Sequence, residues 1–348
     1  MTVDSYLKSA LALKKYPPSA IEPKKDTEKS TLLLDIRNLS VAFGKGDYLP
    51  VKGVDLILAK GEVAGLVGES GSGKSLAAFS LMGLLPFGAR VPNGEIIFKG
   101  LDLIKLAPKE RRALCGKQMG MIFQEPLTAL NPVLTIGEQV SEIFRYHEHM
   151  KKKEARELSY ELLSQVGLPN PKAAYSSYPH RFSGGMRQRV VIAMALALNP
   201  DLVIADEPTT ALDPTIALQI TRLLHKLTKE RNTGVLFITH NLRILSSLAY
   251  KVFVMYAGLI LEETGQFLKD PLHPYTRALV DALPPNPSEK STKALIPIPG
   301  QGPGPADKFK GCPFEPRCTM SFAPCTESLP PLFKVDERSV RCFRYGSC

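Results

Sequence analysis

One short segment dominates the chemistry this chain can do. Gly68-Glu69-Ser70-Gly71-Ser72-Gly73-Lys74-Ser75 has the GxxxxGK(S/T) spacing and stands between the apolar run Val63–Val67 and the helical Leu76–Leu85. Glycines so spaced let successive backbone N–H groups turn toward an anion at a helix N-terminus. Lys74 then brings a charge to β and γ phosphates, and Ser75 a hydroxyl for Mg²⁺. A glycine-rich turn also arises by chance, but the strand before it and the helix after it single out the phosphate-binding reading. Further on, Leu202–Glu207 is an apolar strand ending in two carboxylates. That order suits Asp206 for Mg²⁺ and Glu207 for polarising a water. Ser183-Gly184-Gly185-Met186 opens a strong helical segment, where glycines admit a second anion to the positive end of the helix.

A different chemistry is grouped near the C-terminus. Cys312, Cys318, Cys325 and Cys342 are separated by five, six and sixteen residues. Four thiolates meet the ligand count of an iron-sulfur cluster or of a structural zinc. The alternative of unrelated buried cysteines fits poorly, because the surrounding segment has little apolar material to bury them in. Cys348 lies outside the pattern, and Cys115 reads as an isolated small core residue.

These groups need elements to position them. With 348 residues, 44% apolar and 22% charged, the chain is long enough for a substantial core and far from the composition of disorder. The longest apolar run, Val190–Leu198, is about half of the roughly 18 residues that cross a bilayer. No secretory signal is evident, so a cytoplasmic setting is expected, where clustered cysteines favour metal over disulfides. The net charge of +10 selects no partner by its sign alone, and Lys151–Lys153 reads as a solvated face.

Residues 1–30, with Pro17, Pro18 and Pro23 among mixed charges, read as a flexible tail. The short apolar runs Leu32–Ile36, Val63–Val67, Met119–Phe123, Leu202–Ala205 and Val235–Thr239 are expected as buried strands of an α/β sheet. Between residues 126 and 199 the pattern turns helical, clearest over Ile136–Tyr146, Lys152–Val166 and Met186–Leu198, which predicts a helical subdomain inserted between core strands. Twelve of the 29 prolines fall between Pro284 and Pro331, so 271–348 reads as a small irregular extension held by something other than a large core.

The order of phosphate loop, Gln124, Ser183-Gly184-Gly185, Asp206-Glu207, Ala211-Leu212-Asp213 and His240 resembles the nucleotide-binding subunit of an ABC transporter, over residues 32–265. The resemblance implies a P-loop NTPase α/β domain over 31–270 with ATP and Mg²⁺ as its ligands. It implies that Ser183–Gly185 contacts ATP held by a partner subunit. Gln124 touches Mg²⁺ or the attacking water and links the sheet to the helical insertion, which meets the membrane subunits. His240 contacts the γ-phosphate, Asp213 links the two sites of a dimer, and Phe43 stacks on adenine. Phe182 and Met186 flank the signature where the broad family has Leu and Gln, as is common in the peptide-transporter branch. Asn241 replaces a usual Asp, and Leu76 a smaller residue.

His273-Pro274-Tyr275-Thr276-Arg277-Ala278-Leu279 resembles the tail motif of oligopeptide, dipeptide and nickel transporter ATPases, with Pro274 expected to open a helix. The cysteine segment resembles the extension of dipeptide-transporter ATPases, which carries a [4Fe-4S] cluster; zinc is the alternative. The expected protein is an importer ATPase at the cytoplasmic face of the membrane. Its expected partners are a second ATP-binding subunit, paralogous or identical, two permease subunits and, indirectly, a solute-binding protein, with no nucleic acid. Peptides, nickel and oligosaccharides all remain open as solutes. A DNA-repair or translation ATPase of the same nucleotide fold is the rival, although no long coiled coil or second cassette is present. Replacing Cys318 by Ser is expected to loosen the extension and to spare an ATP site in a separate core.

Overall fold

The computed structural model describes residues 32–44, 48–210, 212–265, 268–284, 296–304 and 307–346. The expected tail, Ala211 and Cys348 lie outside the described residues.

Two sheets carry the fold. Strands β3 (Val63–Val67), β6 (Met119–Ile122), β7 (Leu202–Asp206) and β8 (Gly234–Ile238) are short, and almost every residue in them is buried. Burial on both faces is why they read as unbroken apolar runs. They are parallel, with Val63 opposite Val235, Leu202 opposite Gly234 and Met119 opposite Leu202. β9 (Lys251–Tyr256) adds to the other side of β3 in parallel, and β10 (Leu259–Thr264) returns beside it antiparallel. This parallel set fixes the α/β class.

The second sheet is antiparallel, in the order β2-β1-β4-β5, from β1 (Leu32–Phe43), β2 (Tyr48–Ala59), β4 (Ala89–Phe98) and β5 (Leu101–Asp102). Leu32–Ile36, expected beside the other apolar runs, therefore belongs to this separate layer. Both its neighbours run antiparallel to it, and an isolated apolar run does not encode the direction of its partners.

The inserted helices form where the period predicted them, as Ile136–His147, Lys152–Gln165 and Gly184–Leu196. The first begins at a reciprocal cap: the Thr135 hydroxyl accepts the Glu138 N–H at 3.2 Å while the Glu138 carboxylate accepts the Thr135 N–H at 2.8 Å. Val140, Phe144, Leu163 and Ile192 join one apolar core with Val203 and Phe237 of the parallel sheet.

The C-terminal region continues the same sheet. β11 (Phe333–Val335) pairs β12 (Arg338–Val340), and β12 pairs β10, giving the order β11-β12-β10-β9-β3-β8-β7-β6. The composition break near residue 270 is thus not a break in hydrogen bonding. Pro274 opens the helix Pro274–Asp281 as expected, and the His273 ring caps it by accepting the Tyr275 N–H at 3.0 Å. His273 is wholly buried, and burial pushes its pKa down to about 3, so it caps as a neutral imidazole. Among the described residues no helix is long and apolar enough to cross a membrane.

Candidate active site

The loop Gly68–Ser75 joins β3 to the helix Lys74–Met82. Gly73 has φ 104°, and a Cβ there would meet the Pro50 carbonyl; at Gly68 it would run into that of Met255. Neighbouring backbone therefore crowds the loop into one path that a side chain would block. Lys74 is buried, its Nζ donating to the carbonyls of Gly68 at 2.9 Å and Glu69 at 2.8 Å and to the Ser72 hydroxyl at 3.4 Å. Burial lowers its pKa, against the opposing pull of Glu207, Asp206 and Glu69.

β7 delivers the carboxylates. Asp206 is buried at its end, hydrogen-bonded by Ser75, with its pKa raised by burial. Its Oδ1 is buried with no partner among the described residues. Glu207 follows with φ 45°, a left-handed backbone that turns its side chain out of the strand direction, and its N–H donates to the Ile238 carbonyl at 2.9 Å. Three groups meet at Glu207 Oε2: the Thr210 hydroxyl at 2.6 Å, His240 Nδ1 at 3.1 Å and Gln124 Nε2 at 3.4 Å. Burial alone would raise the Glu207 pKa; Thr210, His240 and Lys74 outweigh it and hold it below the usual range. The structure thus gathers Gln124, Glu207 and His240, from three separate strand ends, at one carboxylate. Thr210 was not foreseen, although a hydroxyl three residues beyond Glu207 is the local signal that could have pointed to it.

Ser183 caps the helix Gly184–Leu196 through Met186 N–H at 3.4 Å, and Gly184 and Gly185 lie close against Leu212 and Ile216. No hydrogen bond joins Ser183–Gly185 to the phosphate loop among the described residues. Asp213 caps the helix Pro214–Glu230, its Oδ1 accepting the N–H groups of Thr215 at 3.1 Å and Ile216 at 3.0 Å. Phe43 ends β1 and stacks on Tyr48, ring centroids 5.8 Å apart.

Cys312, Cys318, Cys325 and Cys342 line one small cavity of about 10 Å³ together with His273 and Phe314. None is in a disulfide. The ligand set expected from their spacing is not formed as such, because among the described residues no group of three or more His, Cys, Asp or Glu side chains stands so that it could hold a metal ion. Burial pushes the Cys312 thiol up to about 12 and also raises those of Cys318 and Cys342.

One further contact joins residues that no local pattern connects. Arg317, between two of the cysteines, forms a two-pronged ion pair with Glu69 of the phosphate loop, at 2.7 and 3.0 Å. The partners are 248 residues apart, so no local pattern could reveal them. The expectation that the cysteine region and the ATP site occupy separate cores is corrected by this pair and by Phe314, which shares one apolar core with Val67 at the end of β3.

Residues 51–210 match the ABC transporter family, and residues 261–325 match the oligopeptide/dipeptide transporter C-terminal region. The oligopeptide transport ATP-binding protein AppD of Bacillus subtilis (strain 168) is 45% identical over 319 residues, covering 90% of this chain and 97% of that one. The dipeptide transport ATP-binding protein DppD of Escherichia coli (strain K12) is 43% identical over 316 residues, 89% and 96% of the two chains. Among solved structures, the dimeric bacterial ABC transporter cassette MJ0796 superposes with a TM-score of 0.60 at 28% identity, over 67% of this chain and 98% of that one. The same cassette, also dimeric, has been seen in a post-hydrolysis state bound to ADP and Pi, with the same TM-score of 0.60. The chain belongs to the ATP-hydrolysing ABC transporter subunits, in the branch that carries the oligopeptide/dipeptide transporter C-terminal region.

Proposed function

We propose that this chain powers the import of peptides, binding Mg-ATP on Gly68–Ser75 and hydrolysing it through Glu207. The observation that carries this reading is the meeting of Gln124, His240 and Thr210 at the Glu207 carboxylate, in a chain whose relatives are named for peptide transport. Those names favour an importer over a nucleic-acid-associated ATPase. Lys74 neutralises the β and γ phosphates, and the loop N–H groups hold them in place. The buried, unpartnered Oδ1 of Asp206 beside Ser75 suits a cation; with Gln124 these residues would hold Mg²⁺, which supplies charge neutralisation on the phosphates. Glu207, ionised at neutral pH, accepts a proton from the attacking water, and His240 and Gln124 orient that water and the γ-phosphate.

Ser183, Gly184 and Gly185 act on the nucleotide of a second ATP-binding subunit, with Asp213 beside them and Phe43 against adenine. The dimeric cassette of the two solved structures supports the pairing of two such subunits. The second subunit is a paralogue or another copy of this chain. Two permease subunits complete the transporter, a solute-binding protein acts through them, and the chain sits on the cytoplasmic face of the membrane. For the extension, four free thiols line one cavity and match the donor number and type of a [4Fe-4S] cluster, but would have to draw closer together to hold one; a cluster so held would cross-link a proline-rich segment. Anaerobic preparations should be brown, with about four irons per chain; one zinc in a colourless protein selects the alternative.

Co-purification of the chain with its permeases into proteoliposomes tests the main reading. ATP hydrolysis and uptake should depend on peptide-loaded binding protein. Lys74→Ala should weaken ATP binding at least about tenfold and remove both activities. Stimulation by DNA or RNA in place of peptide would overturn it.

A further inference from the structure

Glu69, the second residue of the phosphate loop, is held from three directions. Its N–H donates to the Tyr275 hydroxyl at 2.8 Å, its carbonyl accepts from Lys74 Nζ at 2.8 Å, and its carboxylate takes both prongs of Arg317. Two of these three partners come from the C-terminal region. Arg317 is itself fixed: its Nε donates to the Pro299 carbonyl at 2.7 Å and its Nη1 to the Tyr256 hydroxyl at 3.1 Å, and its side chain is 7% exposed. Its guanidinium also lies 5.8 Å from the centre of the Tyr256 ring and 6.0 Å from that of Phe314. A guanidinium locked in this way imposes its plane on the carboxylate it meets, which a flexible ammonium does not.

The charge balance gives the arrangement its meaning. A carboxylate on a loop that must receive a polyphosphate repels its own ligand unless a cation cancels it, and a charge left in a half-buried place after its partner is lost is costly. The carbonyl of the same residue is an acceptor for Lys74, so any shift of Glu69 also shifts the lysine. We propose that Arg317 and Tyr275 are positioning residues for nucleotide binding: from the C-terminal region they neutralise and orient Glu69, and so set the phosphate loop to accept a polyphosphate. The inference rests on the reading of Gly68–Ser75 as the ATP loop. Neither residue touches the reacting atoms; both act through Glu69. The pairing also explains how a region with a different composition is tied to the site, since the arginine follows Pro316 and precedes Cys318 directly.

Equilibrium binding of a fluorescent ATP analogue to the full chain tests it, with thermal melting as the check on folding. Arg317→Ala should raise Kd about tenfold. Arg317→Lys should recover part of that loss, and Tyr275→Phe, which keeps the ring, should raise Kd about threefold. The decisive variant combines Arg317→Ala with Glu69→Gln. Removing the unpaired carboxylate should restore much of the affinity lost in Arg317→Ala, so the two effects are not additive. In hydrolysis assays of Arg317→Ala and Tyr275→Phe, KM for ATP should rise while kcat at saturation changes less than about twofold, because Glu207 is untouched. Unchanged Kd in Arg317→Ala and Tyr275→Phe, or strict additivity in the double variant, would overturn the proposal. If Arg317→Ala does not fold, Arg317→Lys and Tyr275→Phe decide it. A wild-type chain that binds no ATP analogue would instead sink the reading of the loop itself.

Discussion

The parallel strands and the C-terminal region are held together by different physics. In β3, β6, β7 and β8 nearly every side chain is buried among aliphatic neighbours, so cohesion there is spread over many small contributions. Beyond residue 270 Tyr275 and Phe314 still join that apolar core, but discrete polar and aromatic attachments are prominent. Glu262, wholly buried in β10, accepts the N–H groups of Leu272 at 3.0 Å and His273 at 2.8 Å. Arg338 pairs with Asp270 at 2.9 Å, Arg317 with Glu69, and Phe314 wedges against Tyr256 and Tyr275 with ring centroids 5.5 and 5.3 Å apart. A region that relies on discrete attachments can be loosened by one substitution, and one of them, Arg317 with Glu69, ends on the phosphate loop, where the Tyr275 hydroxyl also accepts the Glu69 N–H. The site therefore depends on the less robust part of the molecule as well as on the sheet that carries it.

The comparison can be broken in order of expected effect. Glu207→Gln removes the carboxylate at which Gln124, Thr210 and His240 meet, and should cut steady-state hydrolysis about a thousandfold while ATP still binds. Turnover at the wild-type rate would show that the sheet does not carry the catalytic base. Phe314→Ala empties the centre of the aromatic cluster and should cost about 3 kcal/mol, read by urea unfolding. Limited proteolysis should then cut beyond residue 270 first; simultaneous cleavage throughout would mean that the two regions are equally robust. Cys318→Ser, next to Arg317, should weaken ATP affinity about threefold by loosening the segment that holds the arginine. An unchanged affinity would restore the picture of two independent cores.

What the sequence disclosed follows from range. The phosphate loop, the paired carboxylates and the three long helices are local patterns, and all appear in the fold where the residues placed them. Four of the five parallel strands, β3, β6, β7 and β8, were legible because burial on both faces leaves continuous apolar runs. β2 and β4 were not, since their burial is interrupted and partly polar, as in Asp55 and Asn93, and their pairing with β1 is a matter of tertiary context. β9 and β10 hid behind the composition change that follows them. In the site, Asp206 and Glu207 were visible at a strand end. The ion pair of Glu69 with Arg317 was not, because only folding brings together partners so far apart, and an arginine among prolines and cysteines announces no partner. The cysteines were legible as a group, while their arrangement as thiols around a small cavity depended on packing that spacing does not encode.

The hydrogen bonds between β10 and β12 have a further consequence for handling the protein. A strand at the margin of a sheet presents a row of unused donors and acceptors to any other chain, and this is a common route to aggregation. Here that margin passes from the six-residue β10 to the three-residue β11, whose exposed Lys334 discourages lateral pairing. Trimming the chain near residue 270 to obtain a minimal ATPase would bare the outer side of β10, where Glu262 and Glu263 now face Val340 and Ser339. Such a fragment would retain Asp206 and Glu207 and lose its safeguard against self-association, so poor solubility would reflect an uncovered sheet rather than a misfolded nucleotide site.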